Sequence, residues 1–499
     1  MSLSTYFRKI FSYPIILGLL LLCLAFAAQP AFADTLPMTE DPVAVQSTDV
    51  PVSSLHAMPA IWSVIPFLLL LGMIATGPLF YGHFWHKYYP VIAIGLGAVV
   101  VGYYLFMLHD QHHPVHSLAE YASFIALLGA LYVVSGGILI KVDKQGTAMV
   151  NVILLLLGAV LANFIGTTGA SMLLIRPYMR LNRRRLLPYH VVFFIFIVSN
   201  VGGSLTPMGD PPLFLGFLKG VPFEWTLLNL WGPWMFAIGL LLAIFFVFDK
   251  RNKIEVVHHK PHTGKVSIMG ARNILFLVAV IGAIFIDPNV IELPSFLYIN
   301  YHGDKISYLR ELIMLLTAVV AYKTSNSAAI KENHFNFDPI KEVAFLFIGI
   351  FATMMPALQL IGAFAQENAH LVTANSLYWT AGGLSGVLDN APTYLNFLAA
   401  AMGKIGLDIG NPEHVRQFAN GVMLDGVSSM DYLAAVSIAS VFFGAFTYIG
   451  NAPNFMVKAI AEEEGLGMPS FLNYIIKFAI PILLPVLFLT WLVFSGCSN

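Results

Sequence analysis

The chain has 499 residues, of which 58% are hydrophobic and 11% charged, with a formal net charge of −1. So apolar a composition excludes a soluble globular domain, and the near-neutral balance gives no basis for a nucleic-acid partner. Cys23 and Cys497 are the only cysteines, which excludes a disulfide framework and a thiolate metal site.

In chain order, the first expectation is a signal peptide over residues 1–33. Arg8 and Lys9 precede an apolar run from Ile15 to Ala28, and Ala31-Phe32-Ala33 forms a small-residue cleavage site before Asp34. An uncleaved anchor helix is the alternative. Residues 34–60 are polar and Pro-rich and read as a disordered periplasmic segment. Crossings of a bilayer, which need roughly 20 helical residues each, are expected near 61–81, 90–108, 117–140, 189–222, 226–248, 273–291, 308–323, 342–366, 431–464 and 470–494. The fold class is therefore an all-α polytopic membrane protein with about ten transmembrane helices. The runs at 148–175 and 374–402 carry polar residues at their middles and read as two re-entrant hairpins.

Charge supports the hairpins. If 148–175 enters and leaves by one face, loops 176–187 and 249–272 share the cytoplasmic side. They hold Arg176, Arg180, Arg183, Arg184, Arg185, Lys250, Arg251, Lys253, Lys260, Lys265 and Arg272, 11 of the 26 basic residues. The count puts the mature N- and C-termini in the periplasm of a bacterial inner membrane. It also divides the chain into N-terminal transmembrane helices (61–116), a first repeat (117–248), a basic cytoplasmic loop with connecting helices (249–341), and a second, inverted repeat (342–495). Two inverted repeats with broken helices build one central site reached alternately from either side.

The breaks carry the chemistry. The first repeat has Asn163 to Thr168, then Asn200-Val201-Gly202-Gly203-Ser204-Leu205-Thr206-Pro207-Met208-Gly209-Asp210-Pro211-Pro212. The second has Leu388-Asp389-Asn390-Ala391-Pro392-Thr393 and Thr447-Tyr448-Ile449-Gly450-Asn451-Ala452-Pro453-Asn454. Glycine opens the backbone and proline stops it from re-forming its hydrogen bonds. Freed carbonyls and the amide oxygens of Asn163, Asn200, Asn390 and Asn454 are hard ligands suited to Na⁺. Candidate ion- or substrate-binding residues are Asn163, Thr168, Asn200, Gly202, Gly203, Thr206, Gly209, Asp210, Asp389, Asn390, Thr393, Gly450, Asn451 and Asn454. Asp210 and Asp389 are the sharpest, because an ionisable side chain within a membrane is costly and marks an ion path. Each can hold Na⁺ or a proton. Their alternatives are an N-cap for the helix starting at Pro211 and a hydrogen bond at the hairpin tip. His109, His112, His113 and His116 read as a solvated external loop, and Arg310 as an interfacial anchor. With no Walker loop or nucleophile elbow, the protein is expected not to be an enzyme and to hold no cofactor, Na⁺ and H⁺ acting as coupling ions.

The N-V-G-G…M-G-D-P-P element at 200–212 resembles the signature of the ion-transporter superfamily, which includes NhaD-type Na⁺/H⁺ antiporters, arsenite permeases and citrate and dicarboxylate carriers. The L-D-N-A-P-T segment at 388–393 is similar to the hairpin of the antiporter and arsenite branches. The resemblance covers about residues 60–495 and implies inverted repeats, hairpin tips at Asn163 and Asn390, unwound segments at 200–210 and 448–454, and a homodimer in the lipid bilayer. Two central acids favour Na⁺/H⁺ antiport, with a small inorganic cation as the partner. An Na⁺- or H⁺-coupled citrate or dicarboxylate carrier, taking a small carboxylate, is the alternative, and an oxyanion permease the third.

Overall fold

The computed structural model describes residues 58–142, 146–252, 266–288, 291–301, 304–424 and 426–494. The signal peptide, all but the end of the 34–60 segment, Lys253, Lys260 and Lys265 lie outside the described residues.

The described residues are mostly helical, with three short two-stranded ladders, and among them nine helices are long and apolar enough to cross a bilayer. This is an all-α polytopic membrane protein. A 3₁₀ turn leads into α1 (Ile65–Phe80), followed by α2 (Gly82–Phe106) and α3 (His112–Gly136). The first repeat continues with α4 (Ala148–Asn182), α5 (Pro188–Ile197), α6 (Pro211–Lys219) and α7 (Phe223–Lys250). The connecting segment holds α8 (Arg272–Ile284), α9 (Leu309–Thr324) and α10 (Ser327–Glu332). The second half has α11 (Asp338–Glu367), α12 (Ala374–Ser385), α13 (Asn390–Gly403), α14 (Pro412–Ala419), α15 (Ser429–Phe443), α16 (Ala452–Glu463) and α17 (Phe471–Phe494).

α4 decides the topology. A continuous helix would put Asn151 and Asn182 about 46 Å apart at 1.5 Å per residue. Instead their side-chain amides exchange two hydrogen bonds, of 2.9 and 2.7 Å. The chain reverses at Gly166, whose φ of +74° lies in the left-handed region that glycine enters without steric cost. The second hairpin, α12 and α13, reverses at residues 386–389, and its ends meet where Lys404 Nζ donates to the Val372 carbonyl at 2.9 Å. Both expected hairpins are present.

The two hairpins open toward opposite ends of the bundle. At the first hairpin's open end, Arg185 binds the Asp249 carboxylate at 2.7 Å, so the 176–187 segment and the end of α7 share one face. The chain leaves that face along α5, breaks, and runs on through α6 to Gly220. A Cβ on Gly220 would stand 2.7 Å from the Pro412 carbonyl, in the segment that follows the second hairpin. The second broken helix runs the other way. It starts beside that segment, where Ser429 Oγ donates to the Phe418 carbonyl, and ends at Glu463, 3.8 Å from Arg176. The elements of the two halves are thus antiparallel copies.

Three expectations need correction. α8 ends at Ile284 rather than near 291, so it spans 13 residues, and α9 spans 16. Both fall short of a straight crossing. Arg310 is buried rather than interfacial: its guanidinium donates to Glu311, Ser123 and Asp287, so it pins α9 to α3 and to the segment that follows α8. His112, His113 and His116 lie on the first turns of α3, not in a loop. His113 contacts Asp110 at 2.5 Å, and among the described residues no three metal-ligating side chains cluster.

The hairpin is testable by chemistry. Cysteines at positions 151 and 182, in a chain with Cys23 and Cys497 replaced by serine, should form an intramolecular disulfide under mild oxidation, read by mobility shift on non-reducing gels. A continuous α4 would leave the pair uncrosslinked.

Candidate functional site

The two hairpins and the two broken helices meet around one carboxylate, Asp210, which is 1% exposed. Pro211 and Pro212 start α6 immediately after it, so Asp210 occupies the N-cap position. Its side chain, however, accepts nothing from its own helix. Oδ1 accepts from Thr167 Oγ1 at 2.7 Å and from Asn451 Nδ2 at 3.0 Å, and Oδ2 accepts from Asn390 Nδ2 at 2.6 Å. Thr167 opens the second limb of the first hairpin, Asn390 opens the second limb of the other, and Asn451 stands at the N-cap of α16. Four half-helices therefore begin at one carboxylate, one from each element. All of its hydrogen-bond partners are neutral.

The breaks hold their shape through backbone contacts too tight for any side chain. Gly203 and Gly209 face each other across the first unwound loop, where a Cβ on Gly209 would sit 2.0 Å from the Gly203 carbonyl oxygen. Gly444 and Gly450 repeat this in the second loop, at 2.6 Å. The sequence correspondence extends outward: Thr206, Gly209 and Asp210 match Thr447, Gly450 and Asn451 in spacing. Asp210 and Asn451 adopt nearly the same backbone, with φ/ψ of −143°/143° and −152°/140°. The site is a pseudo-symmetric pair in which one half supplies the acid and the other an amide.

An asparagine chain ties the halves together. Asn200 Nδ2 donates to Asn454 Oδ1 at 2.7 Å, and Asn451 Nδ2 also approaches Asn200 Oδ1 at 3.2 Å. Asn454 in turn donates to the carbonyls of Gly444 and Thr447, satisfying oxygens that the broken helix leaves without partners. One acceptor beside Asp210 is left over: among the described residues Asn390 Oδ1 has no hydrogen-bond partner, although the same side chain binds Asp210 through its nitrogen. A buried unpaired carbonyl oxygen next to a carboxylate is a place where a cation could be coordinated.

The other candidates sort by what they touch. Asn163 lies one turn before the reversal at Gly166. It staples the first hairpin to the first unwound loop, donating to the Gly202 carbonyl at 2.7 Å and accepting from the Leu205 amide at 2.8 Å. Thr206 Oγ1 closes the same joint on the Asn163 carbonyl. Thr168 is half-buried, and its neighbour Thr167 is the hydroxyl that reaches Asp210. Thr393 bonds back to the Asp389 carbonyl within its own helix. Asp389 is half-buried and accepts from the Ala391 amide at 3.0 Å, the N-cap arrangement, and it has no bond to the Asp210 cluster. Residue-level reading missed Thr167, Thr447 and Gly444. The Thr-x-x-Gly spacing shared by 206–209 and 447–450 is the signal that would have found Thr447.

A family model described as "Putative citrate transport" matches residues 56–495. No curated protein matches the chain. The matched residues include both hairpins, both broken helices and every side chain around Asp210, and the chain belongs to this citrate-transport family of membrane transporters.

Proposed function

We propose that this protein is a secondary transporter that moves a small carboxylate of the citrate class, coupled to a cation held at Asp210. The family match supports the cargo, and the arrangement around Asp210 supports the charge logic. Each helix N-terminus carries about half a positive charge, so the four that converge supply roughly +2. Asp210 offsets about one unit of that. The remainder favours an anion, and with no arginine or lysine bonded at the centre, backbone dipoles and amides are the groups available to hold it. A cation on Asp210 and Asn390 Oδ1 would neutralise the carboxylate and leave the N-termini free for the substrate. We take Na⁺ as that ion, because the available ligands are hard oxygens. The second reading, Na⁺/H⁺ antiport, is favoured by one observation: the only charged side chain in the cluster is an acid, which Na⁺ and a proton could share in turn.

For orientation, Arg176, Arg180, Arg183, Arg184, Arg185, Lys250 and Arg251 gather where the first hairpin opens, and the positive-inside bias supports a reading in which that face meets the cytoplasm of a bacterial inner membrane. The hairpins would then open to opposite compartments, as alternating access around a fixed site requires.

The two acids separate in their expected effects. Hydrogen bonds to a charged group contribute about 1.5–3 kcal/mol each, so Asp210→Asn should lower coupled uptake at least roughly tenfold. Asp389→Asn keeps an equally good N-cap and should stay within about twofold of the parent. Initial rates in proteoliposomes check both, and equal losses in the two variants would contradict the site assignment. Cargo is tested in the same vesicles. Labelled citrate or succinate should accumulate when an inward Na⁺ gradient is imposed and fail to accumulate without it. Carboxylate-independent alkalinisation of an acid lumen on adding Na⁺ would establish antiport instead.

A further inference from the structure

A second site lies away from the Asp210 cluster, at the face where the first hairpin opens. A cavity of about 750 Å³ is lined there by Arg176, Lys323, Lys331, His334 and Glu463 among others. Its walls come from different parts of the molecule. Arg176 is on the second limb of the first hairpin, Glu463 ends the second broken helix, and the lysines belong to α9 and α10.

Two observations point to an anionic ligand. Arg176 is only 7% exposed, yet a single hydrogen bond, Nη1 to the Asn333 carbonyl at 3.2 Å, engages its five N–H donors. Its nearest acid, Glu463, is 3.8 Å away with a largely exposed side chain, beyond hydrogen-bonding reach. Its unused donors face the cavity, where an anion would gain several charge-assisted hydrogen bonds. The side chains of Lys323 and Lys331 are exposed, and neither ammonium group has an ion pair or hydrogen bond among the described residues. The second observation is the approach to the cavity. Leu312, Leu316 and Val319 are each about half exposed and share one face of α9, and Lys323 follows one turn later on that face. An exposed apolar stripe along α9 that ends in a cation matches an acyl chain below a charged headgroup.

We propose that this cavity binds a phosphate group, presented by the headgroup of an anionic membrane lipid lying along α9, with Arg176, Lys323 and Lys331 as its ligands. Free phosphate has the same oxyanion chemistry, and the test separates the two sources. A bound headgroup would bridge the first hairpin and the connecting helices, so the lipid becomes a structural partner of the element that carries Thr167.

Native mass spectrometry of the purified full-length protein in detergent reads this directly, titrated with phosphatidylglycerol, phosphatidylcholine and inorganic phosphate. Phosphatidylglycerol should be retained in preference to phosphatidylcholine. The Lys323→Gln/Lys331→Gln variant, which alters only exposed side chains, should weaken that retention by roughly thirtyfold, as expected for two lysines facing an anionic surface. Arg176→Gln should weaken it as well, and its thermal stability, compared with the parent in lipid-free detergent, separates lost binding from misfolding. Displacement of phosphatidylglycerol by millimolar phosphate upholds the oxyanion site and assigns it to the soluble ion. Equal retention of both lipids by parent and variants, with no response to phosphate, would overturn the proposal.

Discussion

One carboxylate buried between the two ends of the bundle sets the terms for the rest of this structure. Asp210 cannot reach water, so its two oxygens must be satisfied from within, and they are met by a hydroxyl and two amides from three other elements. That requirement explains why helices break here at all. A side chain at the N-terminus of a half-helix points toward the site with its helix dipole behind it, which a residue in mid-helix cannot do. Four such termini are brought together only because the hairpins reverse at this depth and the broken helices restart there.

The breaks would be unstable without their own partners. Unwinding leaves carbonyls exposed in an apolar surround, and Asn163, Asn200, Asn451 and Asn454 bind them or one another across the pseudo-symmetric interface. The asparagines therefore have two roles. Asn163 and Asn454 hold loops in shape, whereas Asn390 and Asn451 face the carboxylate. Glycine pairs at 203/209 and 444/450 let the loops fold onto themselves at distances that exclude even a methyl group. Stability and function share these contacts, and a change that loosens a loop also moves the site.

Much of this was legible in the sequence because breaks inside apolar runs are conspicuous. Polar and Gly/Pro-rich residues at 163–168, 199–212, 388–393 and 447–454 mark the four interruptions that the structure contains, and the arginine distribution selects the hairpin over a full crossing for α4. What could not be read is which side of each break faces inward. Thr167 and Thr168 are equivalent by composition, and only the rotation imposed by the Gly166 reversal aims the first at Asp210. Asp210 and Asp389 each precede a half-helix, yet one caps and the other turns away from its own helix, a difference set by tertiary contacts. The burial of Arg310 depends likewise on Asp287 and Ser123, distant in sequence.

Asp210, with Asn390, is the proposed site of the coupling cation. Equilibrium binding of radiolabelled Na⁺ to the purified protein tests it most directly, independent of cargo. Saturable Na⁺ binding is expected, lost in Asp210→Asn, weakened in Asn390→Ala and retained in Asp389→Asn. Undiminished Na⁺ binding by Asp210→Asn would contradict it.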